Sequence, residues 1–295
     1  MKILVAVDGS TYSAAAAKFV RGLPTPEPAE VRLVTVINPP DVALSTSTEM
    51  WYPQYIEHQQ EYAEETLQAV AETFRDSEVS VERRIAQGHI GHAIVDEAQR
   101  MGADLVVVGA KGHTAIGRIV LGSVSDYVAT HAACSVVVIR PRESGNDDVR
   151  HRVVIAYDGT PPSETAVQEF AALNWSDLEE VRVLTASPKL EVFREDILSS
   201  ILEEAARRRT EARRTAEAGA ATLADRGWKV SHDAIEVEHV GEGLLEAADS
   251  FGGDLIVVGD AQRGRLTRWL MGSTSRYVLR HAGQSVWIAR HPREA

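Results

Sequence analysis

Two stretches of this chain carry residue types suited to holding a phosphate. Asp8-Gly9-Ser10 follows the apolar run Ile3 to Val7. Gly109-Ala110-Lys111-Gly112 follows the apolar run Leu105 to Val108, and Gly122-Ser123 comes after nine further residues. Glycine lets a backbone approach an anion closely, and the N–H groups at a helix N-terminus supply donors and a favourable dipole. Gly122-Ser123 directly precedes a helical stretch through Val124, Tyr127 and Val128, so a glycine, a hydroxyl and a helix start fall together. Serine is also a good N-cap, and that role alone would account for Ser123.

The elements that must position these stretches alternate in type. Strand candidates are Ile3 to Val7, Val31 to Ile37, a weaker run Val81 to Ile85, Leu105 to Val108 and Val136 to Ile139. They recur at Val153 to Tyr157, Val181 to Ala186, Val230 to Val237, Leu255 to Val258 and Val286 to Ala289. The first and fourth runs of each set are apolar at nearly every position, which suits strands covered on both faces. Between strands, Ala63, Leu67, Val70 and Phe74 form one helical stripe, and Ala212, Ala216, Ala220 and Leu223 form another. The alternation predicts doubly wound α/β domains with parallel sheets and right-handed crossovers. In such sheets ligands bind beyond the carboxyl ends of the strands, where the strand order reverses.

The whole pattern is written twice at a constant offset of 150 residues. Asp8 matches Asp158, Thr35 matches Thr185, Asp104 matches Asp254, Gly122 matches Gly272, Tyr127 matches Tyr277 and His131 matches His281. This is a tandem duplication, with domains expected at 1–143 and 150–295. The segment Glu143 to Val149, rich in Ser, Gly, Asn and Asp, reads as the linker. The connection after the second strand is long in both copies. In the first it runs from Asn38-Pro39-Pro40 through Trp51, with a helix expected from near Pro53. It reads equally as a surface loop or as a lid over a ligand.

Composition narrows the function classes. A net charge of −12 argues against a nucleic-acid partner, which needs a basic surface. No stretch approaches the ~20 apolar residues of a membrane span, and Met1 leads straight into a strand, so a cytoplasmic protein is expected. The single Cys134 excludes an intramolecular disulfide and reads as a buried small hydrophobe. Arg207, Arg208, Arg209, Arg213 and Arg214 alternate with Glu203, Glu204 and Glu211 at helical spacing, as on a solvated, salt-bridged helix face. The five tryptophans, Trp51, Trp175, Trp228, Trp269 and Trp287, read as core or interface residues. His89 and His92 lack a third ligand nearby in sequence, so no metal site is assigned. No Ser-His-Asp arrangement and no P-loop can be read, and no catalytic residue is assigned. Gly241-Glu242-Gly243 begins like a dinucleotide fingerprint but has Glu246 where the third glycine belongs.

The spacing Gly109, Gly112, Gly122-Ser123, with Val7 to Ser10 and the closing Gly-Ser-Val-Ser at Gly122 to Ser125, resembles the nucleotide motif of the universal stress protein family. The resemblance covers essentially the whole chain. It implies in each copy a five-stranded parallel sheet of order 3-2-1-4-5, with strands one and four side by side. It also implies that the first copy belongs with the ATP-binding members. Asp8 would then lie beside the adenosine, and Val36 would offer main-chain groups to the adenine. Gly109 would line the cleft, and Gly112, Gly122, Ser123, Val124 and Ser125 would hold the phosphates. Lys111 and Arg118 would add charge there, or stand equally well as exposed surface residues. Any Mg²⁺ would be held mainly by the phosphates. The family implies a stress-response binding module, domain pairing through the last strands, a homo-oligomer and an unidentified protein partner. Slow ATP hydrolysis or self-phosphorylation, and a nucleotide-free interaction role, are the alternatives.

The second copy departs from the motif. Gln262 stands in place of the second glycine, and Asp260 stands where the first copy has Ala110. The first change adds bulk toward a phosphate and the second adds a repelling charge. Gly264, Arg263 and Arg265 act in the opposite sense. The expectation is a degenerate site with a mainly structural role.

Overall fold

The computed structural model describes residues 1–25, 29–40, 46–77, 79–112, 121–141, 151–189, 198–260 and 271–290. They divide into two compact units, the first ending at Pro141 and the second beginning, among described residues, at His151.

In the first unit the strands are β1 (Lys2–Ala6), β2 (Glu30–Ile37), β3 (Ser80–Gln87), β4 (Leu105–Gly109) and β5 (Ser135–Ile139). They form one parallel sheet in the order β3-β2-β1-β4-β5. The helices are α1 (Thr11–Gly22), α2 (Thr46–Ala71), α3 (Ile90–Met101) and α4 (Ser123–His131). In the second unit β6 (His151–Ala156), β7 (Leu178–Pro188), β8 (Val230–Val237), β9 (Leu255–Gly259) and β10 (Ser285–Ala289) repeat the order as β8-β7-β6-β9-β10. Its helices are α5 (Pro161–Ala171), α6 (Leu198–Ala221), α7 (Val240–Phe251) and α8 (Ser273–His281).

The order follows from patterning. β1 and β4 are buried through their centres, because neighbours flank them on both sides and helices cover both faces. β3 sits at the other edge and is largely half-buried or exposed, which is why its apolar run is weak. The stripe Ala63, Leu67, Val70 and Phe74 is buried, as is Ala212, Ala216, Ala220 and Leu223. On α6, Arg207 and Arg208 both pair with Glu204, as the helical spacing implies, whereas Arg209 reaches Glu236 in β8.

Several expectations change. The helix before Phe74 starts at Thr46, not near Pro53, and Pro53 lies inside it. Proline deletes one N–H and so one helical hydrogen bond, and its fixed φ is otherwise helical, so a helix can run through it at a cost. Trp51 is 42% exposed rather than buried, edge-on to Tyr52 and Tyr55. Trp175 and Trp287 are core residues, and Trp228 donates to the Trp175 carbonyl at 3.1 Å. Cys134 is half-buried rather than fully buried. The linker Glu143 to Val149, Arg118, Gln262, Arg263, Gly264, Arg265 and Trp269 lie outside the described residues. Among the described residues no helix is long and apolar enough to cross a membrane.

Candidate functional site

β1 and β4 are hydrogen-bonded neighbours, with Ile3 opposite Leu105 and Val5 opposite Val107. Their carboxyl ends therefore release Asp8-Gly9-Ser10 and Gly109-Ala110-Lys111-Gly112 side by side. At the first, Gly9 takes φ +79, a left-handed turn open to glycine and strained for other residues. The Asp8 carboxylate accepts from the Ser10 N–H at 3.0 Å, and the Ser10 hydroxyl accepts from the Ser13 N–H at 3.1 Å to cap α1. A β-carbon on Gly9 would also meet the Tyr62 hydroxyl of α2 at 2.6 Å. α2 thus bounds this corner of the first unit, a role the sequence did not announce for Tyr62.

The glycines of the second stretch do different jobs. At Gly109 a β-carbon would lie 2.7 Å from Tyr12 Cβ and 2.8 Å from the Tyr12 carbonyl carbon. Its absence lets α1 cross the end of β4, so Gly109 holds the fold. Gly259 does the same against Pro162. At Gly112 a β-carbon would lie 2.8 Å from Asp8 Oδ2, which brings the two motif stretches into direct apposition. Gly122 donates its N–H to the Ala110 carbonyl at 2.7 Å, and the buried Ser125 hydroxyl donates to the Gly109 carbonyl at 2.6 Å. These two bonds seat the start of α4 on the strand-four loop.

Gly122, not Ser123, is the N-cap of α4, so the capping role considered for Ser123 does not apply. Ser123 is the first helical residue and is exposed, with Val124 half-buried behind it. The N-cap is a glycine with no side chain to offer, in contrast to α1, which Ser10 caps. Lys111 is half-buried, its Nζ 5.8 Å from the centre of the Tyr12 ring. Val36 lies half-buried near the end of β2, one residue beyond Thr35, whose hydroxyl donates to the Val7 carbonyl at 2.9 Å. The structure thus draws Asp8, Gly109, Gly112, Gly122 and Ser125 together, with Ser123 and Val124 on the adjoining helix turn and Val36 on the neighbouring strand.

His89 and His92 pack their rings with Tyr127, which stacks on His131 at 3.9 Å; a β-carbon on Gly91 would strike the Tyr127 ring. This ring cluster locks α3 to α4. Among the described residues no group of three or more His, Cys, Asp or Glu could hold a metal ion.

The second unit has a cleft of about 230 Å³ at the same strand ends, lined by Asp158, Leu184, Ala186, Val258, Gly259 and Ser273 among others. Asp158 repeats the Asp8 turn, accepting from the Thr160 N–H at 3.0 Å and the Thr160 hydroxyl at 2.6 Å. Burial works against ionisation of Asp158, but these hydrogen bonds and that of Ser163 outweigh it and hold its carboxyl below the usual range. Asp260 is not the open, repelling charge expected in the loop. It is 2% exposed and paired with Arg290, itself 1% exposed, through Nη2 at 2.9 Å and Nε at 3.1 Å. Arg140, the match of Arg290, has its guanidinium pulled down to about 10 by burial.

The universal stress protein family profile matches residues 1–140 and again 150–290. A universal stress protein of Mycolicibacterium smegmatis is 29% identical over 301 residues, covering 98% of this chain and 96% of its own length. One from Mycobacterium tuberculosis is 28% identical over 323 residues, with the same coverage of 98% and 96%. Among solved structures, a universal stress protein from Archaeoglobus fulgidus covers 100% of this chain and 97% of its own, at a TM-score of 0.66 and 19% identity. At that identity the likeness speaks to the fold alone.

Proposed function

Because this chain belongs to the universal stress protein family, once in each half, we propose that its first domain binds ATP and that the protein is a stress-response regulator acting through the bound nucleotide. The observation that carries this reading is the convergence at the β1 and β4 ends. Asp8 abuts Gly112, and Gly122 and Ser125 seat a helix start whose N-cap is a glycine. Glycines leave room for phosphates, and the first-turn N–H groups of Ser123, Val124 and Ser125 supply donors with a helix dipole behind them. Asp8 takes the ribose end, Val36 the adenine through its main chain, and Gly109 the cleft wall. Lys111 adds positive charge nearby. A divalent ion would be carried mainly by the phosphates.

The same reading includes a cytoplasmic setting, pairing of the two domains through β5 and β10, and a homo-oligomer. Each of these strands ends its own sheet order and is built of apolar residues, and an unpaired apolar edge invites association. Sedimentation of the purified chain tests the assembly. Mass spectrometry of freshly purified protein for retained nucleotide, followed by calorimetric titration with ATP, tests the binding. Failure to bind ATP would sink the reading, and conversion of ATP to ADP on long incubation would move it to the enzymatic class.

A further inference from the structure

The turn after the first strand is built alike in both units, and one side chain beside it is not. Gly9 and Gly159 take φ +79 and +74, and the Ser10 and Thr160 N–H groups donate to Asp8 and Asp158, each at 3.0 Å. A threonine of the long helix flanks each glycine. A β-carbon on Gly9 would lie 3.7 Å from Thr66 Cγ2, and one on Gly159 would lie 3.5 Å from Thr215 Cγ2. Thr66 and Thr215 therefore hold the same place on α2 and α6. One helical turn earlier stand Tyr62 and Glu211. The Tyr62 hydroxyl reaches Gly9, 2.6 Å from where a β-carbon would be, whereas Glu211 does not come within 4 Å of that point at Gly159.

The second unit makes the same turn without an overhanging ring, so Tyr62 is not what holds the turn. Nor is Tyr62 part of the core, being 46% exposed. Its hydroxyl forms no hydrogen bond among the described residues. A phenol hydroxyl both donates and accepts, and this one stands one residue from Asp8, whose carboxylate faces Gly112.

We propose that Tyr62 is a specificity residue of the first-domain site, its hydroxyl hydrogen-bonding a ribose hydroxyl of the nucleotide next to Asp8. The proposal rests on the first domain being the nucleotide site. A carboxylate only accepts, so a ribose hydroxyl that donates to Asp8 keeps lone pairs, and Tyr62 supplies the matching donor. A site that hydrogen-bonds a ligand hydroxyl discriminates against the analogue lacking it, because its own polar groups are then left unpaired. The second unit, with Glu211 at this place, offers no phenol.

Calorimetric titration of the full chain with ATP and with its 2′-deoxy and 3′-deoxy analogues tests this, in the parent and in Tyr62→Phe. The parent should bind ATP more tightly than one of the two analogues. Tyr62→Phe should weaken ATP binding by about threefold to tenfold, the worth of one hydrogen bond, and leave the affinity for that analogue unchanged. Its melting temperature should match the parent's, since no bond within the protein is lost. Equal weakening of ATP and both analogues would overturn the proposal, because the hydroxyl would then act on the turn and not on the ribose. Unchanged ATP affinity in Tyr62→Phe would overturn it and leave the nucleotide reading standing. A parent that binds no ATP would fail that reading and this proposal together.

Discussion

Gly112 stands against the carboxylate of Asp8, so closely that a β-carbon there would lie 2.8 Å from Asp8 Oδ2. The obstacle is the tip of a side chain that can turn aside, not backbone. A substitution is therefore tolerated by the fold and felt at the cleft. We expect Gly112→Ala to leave the melting temperature nearly unchanged and to weaken ATP binding by about tenfold, ~1.4 kcal/mol. Paired calorimetric titration and thermal unfolding measure both. Unchanged affinity would mean that the phosphates do not pass this loop.

Gly109 should behave in the opposite way. Its added β-carbon would meet main-chain atoms of Tyr12 and Ser13 at 2.8 and 3.1 Å, and these move only if α1 moves. Gly109→Ala should cost about 1–3 kcal/mol of stability by overpacking. Denaturant unfolding tests this, and a variant as stable as the parent would refute the packing role.

These two glycines show how far the sequence could be read. Both were legible as motif members, and the strand order that the family resemblance implies put the β1 and β4 ends side by side, as the sheet has them. Spacing alone does not say which glycine makes room for a ligand and which for a neighbouring helix. The duplication helps here. Asp104 and Asp254 each accept the main-chain N–H of the first strand, at 2.7 and 2.9 Å, and Thr35 and Thr185 each donate to a main-chain carbonyl. Residues kept in both copies with one local bond explain themselves as structure. Asp260 was misread because its charge was visible and its partner was not. Arg290 lies thirty residues away, just past β10, and only the strand register turns it inward. The α2 start was hidden by Pro53, since a proline reads as a boundary unless packing carries the helix through it.

Tyr157 replaces Val7 in the second copy, and its hydroxyl donates to the Glu164 carboxylate. Burial first, then this hydrogen bond, pushes the phenol up to about 12 from 10.0. The folded state thus holds the proton more tightly than the unfolded chain. The stability this contributes is intact below about pH 10 and is lost as pH rises toward 12. Tyr157→Phe should flatten the alkaline limb of the stability profile between those values. Ultraviolet titration should at the same time lose one tyrosine that ionises near 12. A parent and variant with the same alkaline limb would contradict the assignment.

Arg290 and Asp260 give the sharpest stability contrast. Both side chains are almost completely buried, and the pair is held by two nitrogen contacts. Taking two charges out of water is costly, and the pair is tolerated because each satisfies the other. Removing Asp260 takes from the enclosed Arg290 guanidinium the carboxylate that meets two of its nitrogens. Asp260→Ala should therefore destabilise the second domain by about 3–5 kcal/mol. Asp260→Ala combined with Arg290→Met removes both charges, and much of that loss should return. Denaturant unfolding of the two single variants and the double variant closes the cycle. A double variant no more stable than Asp260→Ala alone would show that the loss lies in the bonds Asp260 makes to Gly272 and Ser275, and not in its lost pairing with Arg290.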